Sequence, residues 1–74
     1  MEQIFCRILI SAAECTIRID AETERKAAEA AEAFLRLCKG RTQSLTVEIE
    51  CLNARAGGRI LTYLSEVADE LDHV

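Results

Sequence analysis

Few side chains in this 74-residue chain could do chemistry, and their spacing limits what that chemistry would be. Four cysteines stand at Cys6, Cys15, Cys38 and Cys51. No two are separated by the two residues that a zinc or dithiol site favours. The one histidine, His73, is next to the last residue. A nucleophile needs a base held beside it, and scattered serines with a terminal imidazole do not make that arrangement. Gly57-Gly58 is too short to cradle a phosphate, and neither a G-x-x-x-x-G-K nor a G-x-G-x-x-G run is present. The carboxylate pairs Glu22 with Glu24 and Glu48 with Glu50 read as solvated positions on a helix turn and on one side of a strand. The expectation is no catalytic group, no metal site and no cofactor, and a chain that acts by binding.

An even number of cysteines in a short chain suggests bridges if the protein is exported. Here Glu2 and Gln3 occupy the place where an export signal carries positive charge. The cysteines also fall on apolar faces, as laid out below. Buried reduced thiols in a cytoplasmic protein are therefore expected.

The elements that must position a binding surface follow from composition and periodicity. Half of the residues are hydrophobic and 30% are charged, so the chain reads as globular. With no Trp and no Pro, the core must be aliphatic. No apolar run approaches the roughly 20 residues of a membrane span. The net charge of -4 is localised: nine acids and nine bases cancel between Met1 and Leu61, and Glu66, Asp69, Glu70 and Asp72 carry the excess. That cluster reads as a solvated helix face or a patch for a basic partner. Lys39, Arg41, Arg55 and Arg59 form a looser basic group, too few to bind nucleic acid alone.

Ile4 to Ile10 and Cys15 to Asp20 alternate with period two, which predicts two strands joined by Ser11 to Glu14 as a hairpin. Ile10 is expected opposite Cys15, Ile8 opposite Ile17 and Cys6 opposite Ile19. Ile4, Cys6, Ile8, Ile10, Cys15, Ile17 and Ile19 then share a core face. Phe5 and Leu9 fall on the other face among charged residues, which is unusual for a free surface. Asp20 is the expected cap of an alanine-rich helix, Ala21 to Lys39, with Gly40 as its stop. Its buried stripe is Ala27, Ala31, Phe34, Leu35 and Cys38. Ser44 to Cys51 predicts a third strand. Beyond Asn53, a candidate cap, a second helix buries Ile60, Leu61, Leu64, Val67, Ala68 and Leu71. Gly57 and Gly58 are costly inside a helix, which predicts either a loose first turn or a close backbone neighbour.

The resulting fold class is α+β: a single-domain two-layer sandwich of β-β-α-β-α order. Its three-stranded antiparallel sheet, ordered 2-1-3, carries two helices on one face. Two open strand edges on so small a core invite pairing with another chain. A homodimer or heterodimer is expected. Phe5, Leu9, Arg55, Arg59 and Tyr63 are the candidate partner-binding residues, Tyr63 because beside Arg59 it could stack or donate at an interface.

The stretch Cys15-Thr-Ile-Arg-Ile-Asp-Ala-Glu-Thr-Glu-Arg-Lys-Ala resembles the Pcc-type (CTAG/Pcc) family, the small subunits of the KEOPS, or EKC, complex. Leu45-Thr-Val-Glu-Ile-Glu-Cys-Leu-Asn-Ala-Arg is similar to that family's last strand and the turn after it. Ile60-Leu-Thr-Tyr-Leu-Ser-Glu-Val falls where members carry a helix. The resemblance implies a non-catalytic dimerising subunit of the complex that installs threonylcarbamoyl-adenosine in tRNA. Such a subunit docks on the separate catalytic threonylcarbamoyl transferase and assists tRNA binding indirectly. Members carry a Leu-Arg pair early in the last helix, where this chain has Ala56 and Gly57, with Arg55 or Arg59 as a substitute; a diverged paralogue fits that departure. Three other readings stand beside it. One is a free-standing homodimeric interaction module. Another is a phosphocarrier-like domain, which needs a histidine at a helix start. The third is a redox or metal module built on the cysteines.

Overall fold

The computed structural model describes residues 4–12, 16–38 and 44–72. Its elements are β1 (Cys6–Ser11), β2 (Thr16–Ala21), α1 (Glu24–Leu37), β3 (Thr46–Cys51) and α2 (Ala54–Asp72). The sheet is antiparallel in the order β2-β1-β3. Both helices lie on one face of it, α1 over β2 and β1, and α2 over β3. This is the expected α+β sandwich, and its cause is alternation. Cys6, Ile8 and Ile10 on the central strand are at most 1% exposed. They meet Ala27, Ala31 and Leu35 of α1 and Ile60, Leu64, Val67 and Leu71 of α2. Ile17, Ile19, Val47 and Ile49 point the same way but are half-buried, because the strands that carry them lie at the sheet's margins.

The β1–β2 register differs from the expected one by two residues. Cys6 stands opposite Ala21, Ile8 opposite Ile19 and Ile10 opposite Ile17. β1 runs on through Ser11, whose hydroxyl accepts from Thr16 Oγ1 at 3.2 Å. A shift of two keeps every side chain on its face, so the faces assigned from Cys6 to Ile10 and from Thr16 to Asp20 survive the change of partners; ahead of β1 they do not, since Phe5 packs against the core cluster and Ile4 is 42% exposed. Ile10 therefore does not face Cys15, which itself lies outside the described residues, as do the ends of the chain and the helix stop at Lys39 and Gly40.

Asp20 is not the cap of α1. It remains in β2, where its carboxylate meets Arg7 at 3.2 Å and Arg18 at 3.0 Å. Ala21 also stays in the strand, and the helix begins later than expected. Thr23 caps it, its hydroxyl oxygen accepting from the Lys26 amide at 3.1 Å. For α2 the expected cap holds: Asn53 Oδ1 accepts from the amides of Arg55 and Ala56 at 2.8 and 3.4 Å. Leu61, placed by periodicity in the buried stripe, is 48% exposed at the stripe's margin. Gly57 and Gly58 sit in regular helix. No backbone crowds either one: a Cβ on Gly57 would meet the Cys51 and Ile49 side chains at 3.8–3.9 Å, and one on Gly58 would meet nothing within 4 Å.

The largest correction concerns the thiols. Cys6 and Cys51 are joined in a disulfide rather than reduced. The β1–β3 register sets them directly opposite one another, with Cα atoms 4.2 Å apart. In an antiparallel pair the closest approach of this kind occurs at positions that do not exchange hydrogen bonds. Cys38 is free and half-buried at the end of α1.

Candidate interaction surface

The five residues expected to meet a partner fall in two places. Leu9 lies on the sheet face away from the helices, half-buried in a row with Arg18 of β2 and Glu48 of β3. The row beside it is Asp20, Arg7 and Glu50. Opposite charges thus face each other across the open side of the sheet, an arrangement worth a few tenths of a kcal/mol per pair. Phe5, expected beside Leu9, is half-buried against the core cluster. Its amide donates to the Ala21 carbonyl, and its carbonyl accepts from the Leu52 amide.

Arg55, Arg59 and Tyr63 sit four residues apart on α2 and line one shallow depression of about 560 Å³. Two of them are already engaged. Arg59 grips Glu24 of α1 with two hydrogen bonds of 2.8 and 2.7 Å, a fork-on-carboxylate geometry. Tyr63 donates its hydroxyl to Glu32, which also accepts from Arg36 at 3.0 and 2.6 Å. These contacts form a clasp across the outer seam between the helices. The hydrogen bond from Arg59 holds the Glu24 carboxyl below the ordinary glutamate value. Tyr63 and then Arg36 do the same for Glu32. In return Glu32 pushes the Tyr63 phenol up. Arg55 is exposed one turn earlier, and Lys39 and Arg41 of the expected basic group lie outside the described residues.

Glu24 and Glu32 were invisible as site residues from sequence. They lie 35 and 31 residues from their α2 partners, and only helix docking brings them together. Arg18 was likewise readable only as a strand residue, and Asp20 only as a strand residue and helix cap.

Among the described residues, no group of three His, Cys, Asp or Glu side chains is placed to hold a metal ion. Neither helix start carries a histidine, the group a phosphocarrier needs: α1 opens Glu24-Arg25-Lys26 and α2 opens Ala54-Arg55-Ala56. No described helix is long and apolar enough to cross a membrane. What the arrangement offers is two sheet margins, a charged open sheet face and a clasped helix pair. No family model, curated protein or solved structure matches the chain.

Proposed function

We propose that this chain is a non-catalytic assembly subunit of the KEOPS complex, supporting threonylcarbamoyl-adenosine modification of tRNA by pairing with itself or a related small subunit. The observation that carries the reading is a half-finished sandwich: among the described residues β2 and β3 each pair only with β1, and each is half-buried by helices on one side. A strand left in this state is completed most directly by another strand. The Pcc-type resemblance over Cys15 to Val74 supplies the identity of the complex. Docking on the catalytic threonylcarbamoyl transferase falls to the helix layer, where Arg55, Arg59 and Tyr63 are exposed together. Contact with tRNA is indirect, since the chain is acidic overall. The setting is cytoplasmic, where bridges such as Cys6–Cys51 are uncommon outside hyperthermophiles.

Affinity purification of the tagged full chain from its own cells, with mass identification of what is bound, tests the reading. Recovery of the threonylcarbamoyl transferase is expected. Recovery of the chain alone would overturn it.

A further inference from the structure

The two sheet margins, open among the described residues, differ in whether they can pair with themselves. The Leu52 amide donates to the Phe5 carbonyl at 3.0 Å, so that carbonyl points toward β3 and the Cys6 amide on the same peptide points toward β2. Alternation along the ladder then turns the backbone groups of Arg7, Leu9 and Ser11 toward β3, and those of Cys6, Ile8 and Ile10 toward β2. On β2, Ala21, Ile19 and Ile17 face inward. The N–H and C=O groups of Thr16, Arg18 and Asp20 are left pointing off the edge.

A second copy related by a two-fold axis pairs β2 antiparallel with its own equivalent. When the axis passes at Ile19, the outward groups of Arg18 meet those of Asp20 of the second copy, and the reverse. The two side-chain pairs on the open face are then opposite charges. Ile19 meets its equivalent on the helix side. Shifting the axis to Arg18 or Asp20 sets like charges opposite each other, and shifting it to Ile17 sets Arg18 opposite the neutral Thr16, so among these registers charge favours the one centred at Ile19. β3 has no such register. Any two-fold pairing centred at Glu48, Ile49 or Glu50 places a glutamate directly against a glutamate.

A second, independent feature sits over the same edge. α1 meets α2 through Glu24 and Glu32. The opposite flank of α1, at Ala30, Ala33, Phe34 and Leu37, therefore lies above β2. Leu37 is 85% exposed, more than any other large hydrophobic of the described residues. Continuing the sheet through β2 lays this flank beside α1 of the second copy, the two helices running antiparallel.

We infer that the β2 edge binds a second copy of this chain, in the register that sets Arg18 opposite Asp20 and lays the Leu37 flank of α1 beside α1 of the second copy. The inference rests on the assembly reading and names its first partner. It is tested on the full chain by sedimentation across a concentration series. The wild type is expected as a dimer. Arg18→Asp sets Asp against Asp twice and is expected to raise the dimer dissociation constant roughly tenfold or more. The double variant Arg18→Asp with Asp20→Arg restores opposite charges and is expected to recover most of that loss. Leu37→Glu changes an exposed side chain, leaves the monomer's melting midpoint in place, and is expected to weaken the dimer as well. A monomeric wild type would overturn the inference. So would a dimer indifferent to both Arg18→Asp and Leu37→Glu, or a double variant no tighter than the single one. A monomer that still recovers the transferase would sink this inference and spare the assembly reading. A dimer with these sensitivities that recovers nothing else would do the reverse.

Discussion

β2 and β3 flank the same central strand, have the same length and bury the same kind of side chain, yet they are built for different neighbours. β3 is stapled to β1 by the Cys6–Cys51 bridge and shows Glu48 and Glu50 to solvent. β2 has no covalent tie among the described residues and alternates Arg18 with Asp20. Centred anywhere from Glu48 to Glu50, one edge sets glutamate against glutamate on meeting its own copy, a conflict that a basic strand would relieve. The other complements itself. A protein with two open edges risks endless addition, because two self-complementary edges grow a filament rather than a closed dimer. Charge on β3 removes that risk while leaving the edge available to a different chain.

The comparison is broken most forcefully at the staple. Replacing both Cys6 and Cys51 with Ala removes a cross-link between residues 45 apart in sequence. The expected loss is about 4 kcal/mol by the chain-entropy relation, read as a lower denaturant midpoint. Reductant should lower the wild-type midpoint and leave the double variant unchanged. An unchanged midpoint in the variant would mean that β3 is held by packing alone.

A reversal at Glu48 probes negative charge on the same edge. Glu48→Lys creates opposite-charge pairs with Glu50 in the register centred on Ile49, so β3 becomes self-complementary like β2. Species heavier than the dimer are expected in sedimentation at concentrations where the wild type stops at two copies. If the mass stays at the dimer, charge is not what closes β3.

Smaller effects sharpen the contrast through the helices above each edge. Gly58→Ala adds a methyl group in open space on α2, and Gly57→Ala adds one in ordinary contact with Cys51 and Ile49. Each should raise stability by up to about 1 kcal/mol, and chemical denaturation would measure it. A loss at Gly57 alone would show that the packing of α2 over β3 is tighter than these distances imply.

The smallest effect is the pH dependence of the clasp that ties α1, over β2, to α2, over β3. Glu24 and Glu32 are held below the ordinary value of 4.5. A depressed carboxyl contributes stability that is fully present above 4.5 and is lost as the pH falls through its folded value. Tyr63 is raised above 10.0, so its contribution is present below 10.0 and lost as the pH rises through the folded value. Melting midpoints should therefore decline on the acid side of 4.5. In the Glu24→Gln, Glu32→Gln variant that decline should be shallower. An equally steep decline in both proteins would assign the acid loss to other carboxylates.

The alternation of Ile8 and Ile10 and the stripe of Ala27, Ala31 and Leu35 settled the strands, the helices and the side of the sheet that is covered. These are one-dimensional properties: a side chain's face depends on its own position in a period of 2 or 3.6 residues. Whether Cys6 meets Cys51, whether Ile8 meets Ile17 or Ile19, and whether Arg59 finds Glu24 depend on strand register and helix docking. Those are fixed by the packing of the whole core, in which Ala21 remains in β2 and the start of α1 is displaced to Glu24. Side-chain periodicity fixed the layers, and only the assembled layers decided which charges and sulfurs stand face to face, because distant pairs are chosen by shape in three dimensions and leave no spacing in the chain.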